Sequence, residues 1–139
     1  MEYMDYTISP SIDGTFIILK VKGNITRLTM MQKILEAHAL GKRLQIRRYL
    51  VDVTEAINTD KIIENYTFAY SDMQNTEGID KFARVAALVS PDDHSHDFVE
   101  TVSRNAGLDF SLFTELGLAK KFLMCKDIPN GAYVPVRDI

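Results

Sequence analysis

The densest group of residues able to do chemistry is the run Asp92-Asp93-His94-Ser95-His96-Asp97. Imidazole and carboxylate groups both bind divalent metals such as Zn²⁺, Ni²⁺ and Mn²⁺. Two ligands on one helical face must be four residues apart, whereas His94 and His96 would point about 200° apart on a helix. Acidic side chains are also typical of the first helical turn, because they interact favourably with the positive end of the helix dipole. We therefore expect no metal site, and His94 and His96 are only weak candidates.

A second set of candidates combines polar residues at predicted strand ends with large apolar residues on one predicted helix. The polar residues are Asp52, Thr54, Ser90 and Thr114, and the apolar ones are Ile62, Tyr66, Tyr70 and Met73. Open parallel sheets bind ligands outside the C-terminal ends of their strands, and small-molecule pockets are mostly apolar with few polar groups. This pattern predicts a site for a small apolar or lipid-like ligand between the helix and the sheet. Ordinary packing and strand-end capping are the alternative interpretations.

The remaining chemistry-bearing groups favour structural roles. His38 falls on the inner face of a predicted helix, which predicts a partly buried imidazole. Cys125 is the only cysteine, so no internal disulfide can form, and we expect an inert thiol. The basic run Lys42-Arg43 and Arg47-Arg48 could meet phosphate, anionic lipid or an acidic partner, although such runs are usually solvated. Glycine-rich nucleotide loops and a Gly-x-Ser-x-Gly elbow are missing, so neither a cofactor nor enzymatic activity is expected.

The elements that must position these residues alternate between strands and helices. Predicted strands cover residues 6–9, 15–21, 49–53, 84–89 and 110–113. Predicted helices begin at the caps Thr26, Thr59, Ser90 and Thr114, with stops at Gly41 and Gly107. A short turn at residues 11–14 makes the first two strands a hairpin, and Gly23 ends the second strand. Helical crossovers then predict an α/β fold: a mixed, mostly parallel sheet of about five strands with about four helices.

Composition limits the class of protein. The chain has 139 residues, 46% of them hydrophobic and 25% charged, with a net charge of −3. These values predict one globular domain over residues 1–125 and an irregular tail over 126–139, and they exclude a disordered chain. A pI near 5.6 argues against a dedicated nucleic-acid binder. Because no apolar run approaches about 20 residues and no signal-peptide pattern occurs, we expect a cytoplasmic protein without stable membrane insertion.

Several segments resemble the STAS superfamily, and within it the SpoIIAA-like branch of small stand-alone bacterial proteins. The segments are residues 15–26 (TFIILKVKGNIT), 49–56 (YLVDVTEA), 84–90 (RVAALVS) and 98–123 (FVETVSRNAGLDFSLFTELGLAKKFL). The resemblance covers about residues 5–124. It implies a STAS-like fold, and members of that branch are described as similar to lipid-binding Sec14 domains, most without an assigned activity.

The sequence departs from the superfamily at its regulatory motif. Anti-sigma-factor antagonists carry an Asp-Ser pair, with a phosphorylated serine, at the start of the helix after the third strand. This sequence has Asp60-Lys61 there, and the neighbouring Thr59 is either a substitute acceptor or a helix cap. Two functions therefore stay open. The first is a non-enzymatic domain that binds a small apolar or lipid-like ligand, and the alternative is a regulatory protein–protein interaction module, with a homodimer as one form.

Overall fold

The computed structural model describes residues 5–125, so the predicted tail over 126–139 lies outside the described residues. The elements within this range are β1 (Tyr6–Pro10), β2 (Ile17–Ile25), α1 (Arg27–Leu44), β3 (Arg48–Asn58), α2 (Ile62–Thr67), a π-helical turn (Phe68–Asp72), α3 (Met73–Asn75), β4 (Arg84–Leu88), α4 (Asp97–Asn105), β5 (Asp109–Phe113) and α5 (Leu116–Leu123). Since α2, the π turn and α3 follow one another without interruption, we call them together the 62–75 helix. No helix in this range is long and apolar enough to cross a bilayer.

The predicted α/β fold and its opening hairpin are confirmed. The five described strands form one sheet in the order β1-β2-β3-β4-β5, with β1 antiparallel to β2 and all other pairs parallel. Crossovers between parallel strands are right-handed, and here the strands follow chain order across the sheet. All crossing helices must therefore lie on one face, and only α5, which follows the last strand, is free to pack on the other.

Alternating side chains give the sheet two apolar faces. The first face, called the α1 face, includes Leu19, Tyr49 and Val53 and packs against Ile34 and Ala37 of α1. The opposite face, called the α5 face, has Phe16, Leu50 and Ala86 under Ala119, Phe122 and Leu123 of α5. Each face thus has its own hydrophobic cluster, and the two differ in how many helices cover them.

Two predicted helix boundaries are confirmed and one is wrong. Thr26 caps α1 in a reciprocal capping box with Thr29, and Gly107, at φ 92°, follows the end of α4. Gly41 does not end α1, which continues to Leu44 before Gln45 turns into the left-handed region at φ 60°. Gly41 instead makes room for another element, because a methyl group there would overlap the hydroxyl of Tyr49.

The predicted caps Thr59, Ser90 and Thr114 do not cap helices. The helices begin later, after Lys61, His96 and Glu115, and none of these three makes a side-chain cap bond. The Thr59 hydroxyl donates to the carbonyl of Ile25 (3.1 Å), and the Ser90 hydroxyl donates to the carbonyl of Thr54 (2.8 Å). Both hydroxyls therefore bond to carbonyls distant in sequence, acceptors that only the tertiary fold brings near.

The two central strands are longer than predicted. β2 passes through Gly23, at φ 91°, to Ile25, and β3 reaches Asn58. These extensions pair with each other beyond a register shift between Lys20 and Lys22. On α1 the buried residues are Lys33, Ile34, Ala37, His38 and Gly41, which include the predicted inner-face residue His38, whereas Leu28 is exposed.

Candidate functional site

A cavity of about 110 Å³ lies between the α1 face of the sheet and the helices that cover it. Every layer contributes apolar side chains to its wall: Leu19, Val51, Val53, Val85, Ala87, Phe110 and Leu112 from the sheet, and Met30, Ile34, Phe68, Met73 and Val99 from the helices. Polar residues join this wall near both ends of the strands. The cavity is therefore apolar along its length and polar at its ends.

The 62–75 helix covers the cavity with one face and presents the other to solvent. Asn65, Phe68 and Met73 line the cavity. The helix packs against α4, where Tyr66 meets Phe98 edge to face at 5.7 Å and stacks near Tyr70 at 5.9 Å. A π-helical turn in the middle of a helix is rare and frequently marks a functional site. The helix that the sequence predicted beside the site thus covers the cavity, and of its four predicted residues Met73 lines the wall.

Of the eight predicted ligand-binding residues, all within the described range, Met73 lines the cavity. Ile62, Tyr66 and Tyr70 are 64%, 45% and 48% exposed on the outer face of the 62–75 helix. They therefore lie away from the pocket expected beside them. The reason is the helical phase, because Asn65, Ala69 and Met73, at i, i+4 and i+8, take the inner positions.

Of the residues predicted at strand ends, Asp52 and Thr54 lie inside β3, because this strand continues to Asn58, and they form a small cluster with Ser90 outside the cavity wall. Asp52 accepts bonds from the backbone N–H and the hydroxyl of Thr54 at 3.0 and 2.7 Å, and Ser90 donates to the carbonyl of Thr54. Thr114 is exposed. In open α/β sheets, ligands bind in a crevice at the point where the strand order reverses and neighbouring crossovers run in opposite directions. The described strands follow one another in chain order across the sheet, so this crevice is not formed. Asp52, Thr54 and Ser90 bond to one another instead.

His38 occupies the wall near the N-terminal ends of the parallel strands. Its ring stacks on Tyr49 with the centroids 4.4 Å apart and the planes 9° apart. Its Nδ1 accepts a bond from the backbone N–H of Asp80 at 2.9 Å. Burial lowers the pKa of His38 to about 4 and raises the pKa of Tyr49 to about 12. Both side chains are therefore neutral at physiological pH.

The opposite end, near the ends of β2 and β3, is held by an ion-pair network centred on Arg27. The guanidinium of Arg27 donates to Glu64 at 2.7 Å and to Asp72 at 2.8 and 3.1 Å, and its backbone N–H donates to Asp60 at 2.6 Å. Burial raises the pKa of Asp60, which lines the cavity beside Asn65. Arg27 thus ties the start of α1 to both ends of the covering helix.

Residues 92–96 of the Asp92–Asp97 run precede α4, and only Asp97 lies in its first turn. His94 is exposed and bonds Asp97 at 3.0 Å. His96 is buried, with its Nε2 3.2 Å from the carbonyl of Ala56 and 3.3 Å from Asp93. Within residues 5–125, no three His, Cys, Asp or Glu side chains converge as metal ligands would. The bonds of His96 instead fix this loop to β3.

The basic run is divided between two structural roles. Lys42 and Arg43 are exposed on the last turn of α1. Arg47 makes a two-bond pair with Asp80 at 2.6 and 2.9 Å, and Arg48 donates to the carbonyl of Leu123 at the end of α5 (2.6 Å). Since Arg47 and Arg48 already have protein acceptors, the run does not act as a single anion-binding group. Cys125 is half-buried, and its carbonyl accepts a bond from Arg84.

Sequence reasoning missed the polar ends of the cavity. Asn65 stands in the inner stripe of its helix, where a buried polar residue is the informative exception. Asn58, at the end of β3, donates to the side-chain oxygen of Asn65 at 3.1 Å. The polar residue at a core-facing position was the available indication, but the partners of Arg27 were not predictable because they lie 33 to 45 residues away.

No protein-family model and no curated protein matches this sequence. Among solved structures, the chain is similar to an uncharacterized protein from Shewanella loihica PV-4, described as belonging to the DUF3478 family with a SpoIIAA-like fold. The identity is 21%, the match covers 85% of this chain and 91% of that chain, and the TM-score is 0.48. The likeness is one of fold alone.

Proposed function

We propose that this protein is a non-enzymatic domain that binds a small apolar or lipid-like ligand in the cavity between the sheet and the 62–75 helix. The cavity itself is the observation that supports this function. Protein interiors are normally packed with few voids larger than a water molecule, yet about 110 Å³ is open here along one sheet face. A cytoplasmic location belongs to the same proposal.

The size and polarity of the cavity limit the ligand class. An apolar cavity of about 150 Å³ takes up benzene, so the present volume suits a small ring or the end of an alkyl chain. Met30, Phe68 and Met73 line it, and methionine side chains adapt to irregular shapes. The charged groups at the Arg27 end are already paired with one another. A predominantly apolar, uncharged molecule therefore fits best.

Native mass spectrometry of freshly purified protein, repeated after denaturation, tests for a retained ligand. A titration with methylenecyclohexane, followed by ¹H–¹⁵N NMR, tests the cavity directly. We expect either extra mass that leaves on denaturation or saturable shifts at residues of the cavity wall. A bare protein that also shows no saturable shift with this probe would overturn the proposal.

Two neighbouring alanines on β4 provide a matched control. Ala87 lines the cavity, whereas Ala86 packs under α5. Ala87→Val narrows the cavity and should weaken methylenecyclohexane binding several-fold. Ala86→Val adds the same two methyl groups on the other face and should leave the affinity unchanged. If both variants changed the methylenecyclohexane affinity equally, the probe would not bind in this cavity.

We propose a self-associating interaction module as the second candidate, because the outer face of the 62–75 helix is apolar. Ile62, Ile63, Tyr66 and Tyr70 are all exposed there, and an apolar face can meet the same face of a second copy. Light scattering after size exclusion measures the mass directly. A dimer that Ile63→Asp converts to a monomer would support this candidate, and a monomer at high concentration would rule it out.

A further inference from the structure

His38 has one ring nitrogen that the fold occupies and one that it leaves available. The side chain lines the cavity and is 5% exposed. Nδ1 accepts the backbone N–H of Asp80, and among the described residues Nε2 has no hydrogen-bond partner. Stacking on Tyr49 fixes the plane of the ring.

The bond at Nδ1 decides which nitrogen carries the proton. A ring nitrogen that accepts a hydrogen bond has no hydrogen of its own, so a neutral imidazole must carry its proton at Nε2. Burial keeps this ring neutral, since it lowers the pKa of His38 to about 4. Nε2–H is therefore a fixed donor, and none of the described residues accepts a bond from it.

We propose that Nε2–H of His38 is the recognition donor of the cavity, and that the preferred ligand is an apolar molecule with one uncharged acceptor oxygen, such as a ketone, ester or amide carbonyl. This inference rests on the proposed ligand-binding function and specifies its ligand. It assigns the imidazole a role beyond packing, because a hydrocarbon of the same shape would leave the donor unsatisfied.

The charged groups around His38 argue against an anionic ligand. Hydrogen bonds from Arg47 hold the pKa of Asp80 below its usual range, so that carboxylate stays ionised beside the ring. Lys81 also lines the cavity, but its ammonium group lies over the exposed ring of Phe82, 5.7 Å from its centroid. A neutral imidazole next to an ionised carboxylate offers a carbonyl a donor but offers a ligand carboxylate no counter-charge.

The test compares two probes of the same shape, cyclohexanone and methylenecyclohexane, which differ by C=O against C=CH₂. Each is titrated into wild-type protein and into His38→Phe, which keeps an aromatic ring on Tyr49. We expect the ratio of ketone to hydrocarbon affinity to fall 2- to 10-fold in the variant, the worth of one hydrogen bond. The two probes differ in their hydration in water, but this difference is the same for both proteins. It therefore cancels when the affinity ratio of the variant is compared with that of the wild type.

A second readout needs no variant. In wild-type protein labelled with ¹⁵N-histidine, cyclohexanone should shift the Nε2 resonance and methylenecyclohexane should not. If both probes bind but neither the ratio nor the Nε2 resonance distinguishes them, the role of His38 is overturned and the ligand-binding function stands. If neither probe binds, the proposed function fails, and the role of His38 fails with it.

Discussion

The environment of His38 decides its protonation more than its intrinsic basicity does. Its ring is enclosed between α1 and the sheet, stacked on Tyr49, and bonded at Nδ1 by a backbone N–H. Charging the ring would place a cation in this enclosed site and break that bond. The residue therefore behaves as a neutral polar group of the cavity wall, although a solvated histidine would titrate near pH 6.5.

This burial predicts a pH dependence of stability. The pKa of His38 falls from 6.5 to about 4 on folding, so between these values the unfolded chain binds more protons than the folded one. The contribution of neutral His38 to the free energy of unfolding is therefore complete above pH 6.5 and is lost as the pH falls toward 4. Urea denaturation should show a loss of roughly 2–3 kcal/mol between pH 7 and 4.5 relative to His38→Phe. Parallel pH profiles for the two proteins would contradict the prediction.

Gly41 predicts a substitution that acts against helix propensity. In Gly41→Ala, the added methyl would overlap the Tyr49 hydroxyl and lie 2.8 Å from the Ile46 carbonyl oxygen. We expect a loss of about 1–3 kcal/mol in thermal or chemical denaturation, although alanine gains up to about 1 kcal/mol in a helix. Gly117→Ala is the control, because nothing lies within 4 Å of its new methyl. A stabilised Gly41→Ala would show that the close approach to Tyr49 relaxes freely.

At the scale of elements, the 62–75 helix packs against α4 through its middle and is tied to α1 through Arg27. Arg27 pairs with Glu64 near its start and with Asp72 at the end of the π turn. Between these points the helix passes over the cavity instead of packing tightly on the sheet. An element with fewer buried contacts opens at lower free energy than the core strands do.

Arg27→Met should therefore release this helix locally. The substitution keeps the aliphatic stem but removes the bonds to Glu64 and Asp72, which are partly shielded from solvent. Hydrogen exchange of amides in residues 62–75 should accelerate roughly tenfold or more, while exchange in β3 changes less. Arg47→Met, which removes an exposed pair with Asp80, should leave the helix protected. Equal acceleration along the whole chain would indicate global destabilisation instead.

At the scale of the whole molecule, the two faces of the sheet are packed unequally. Right-handed crossovers place α1, the 62–75 helix and α4 on one face, and these three share a void with the sheet. Among residues 5–125, α5 is the one helix on the other face, where Arg84 and Arg48 bond the carbonyls at its C-terminal end. The cavity and the α5 face are therefore separated by the sheet itself.

Because the two faces are packed differently, replacing alanine by valine should change the free energy of unfolding by different amounts at Ala86 and at Ala87. Ala86 is fully buried under α5, so Ala86→Val should lower the free energy of unfolding by about 1–3 kcal/mol. Ala87→Val extends into the cavity and should remain within about 1 kcal/mol of the wild type. Chemical denaturation of the two variants measures both values. A larger loss in Ala87→Val would mean that the cavity cannot accept two methyl groups.

The sequence by itself determined the order of strands and helices, the opening hairpin, the Thr26 cap and the stop at Gly107. These features depend on local periodicity, on turn chemistry and on the handedness of crossovers, all of which act over short stretches of chain. Helix phase was less certain: Ile62, Tyr66 and Tyr70 formed a plausible inner stripe, but the fold buries Asn65, Ala69 and Met73.

Only the tertiary structure decided the site. The Thr59 and Ser90 hydroxyls bond to carbonyls of distant strands, Gly41 yields space to Tyr49, and Arg27 meets acids more than 30 residues away. No local pattern encodes such pairs, because each depends on the distance between elements that are far apart in the chain. The cavity has the same origin, since a void exists only where several packed layers fail to fill the space between them.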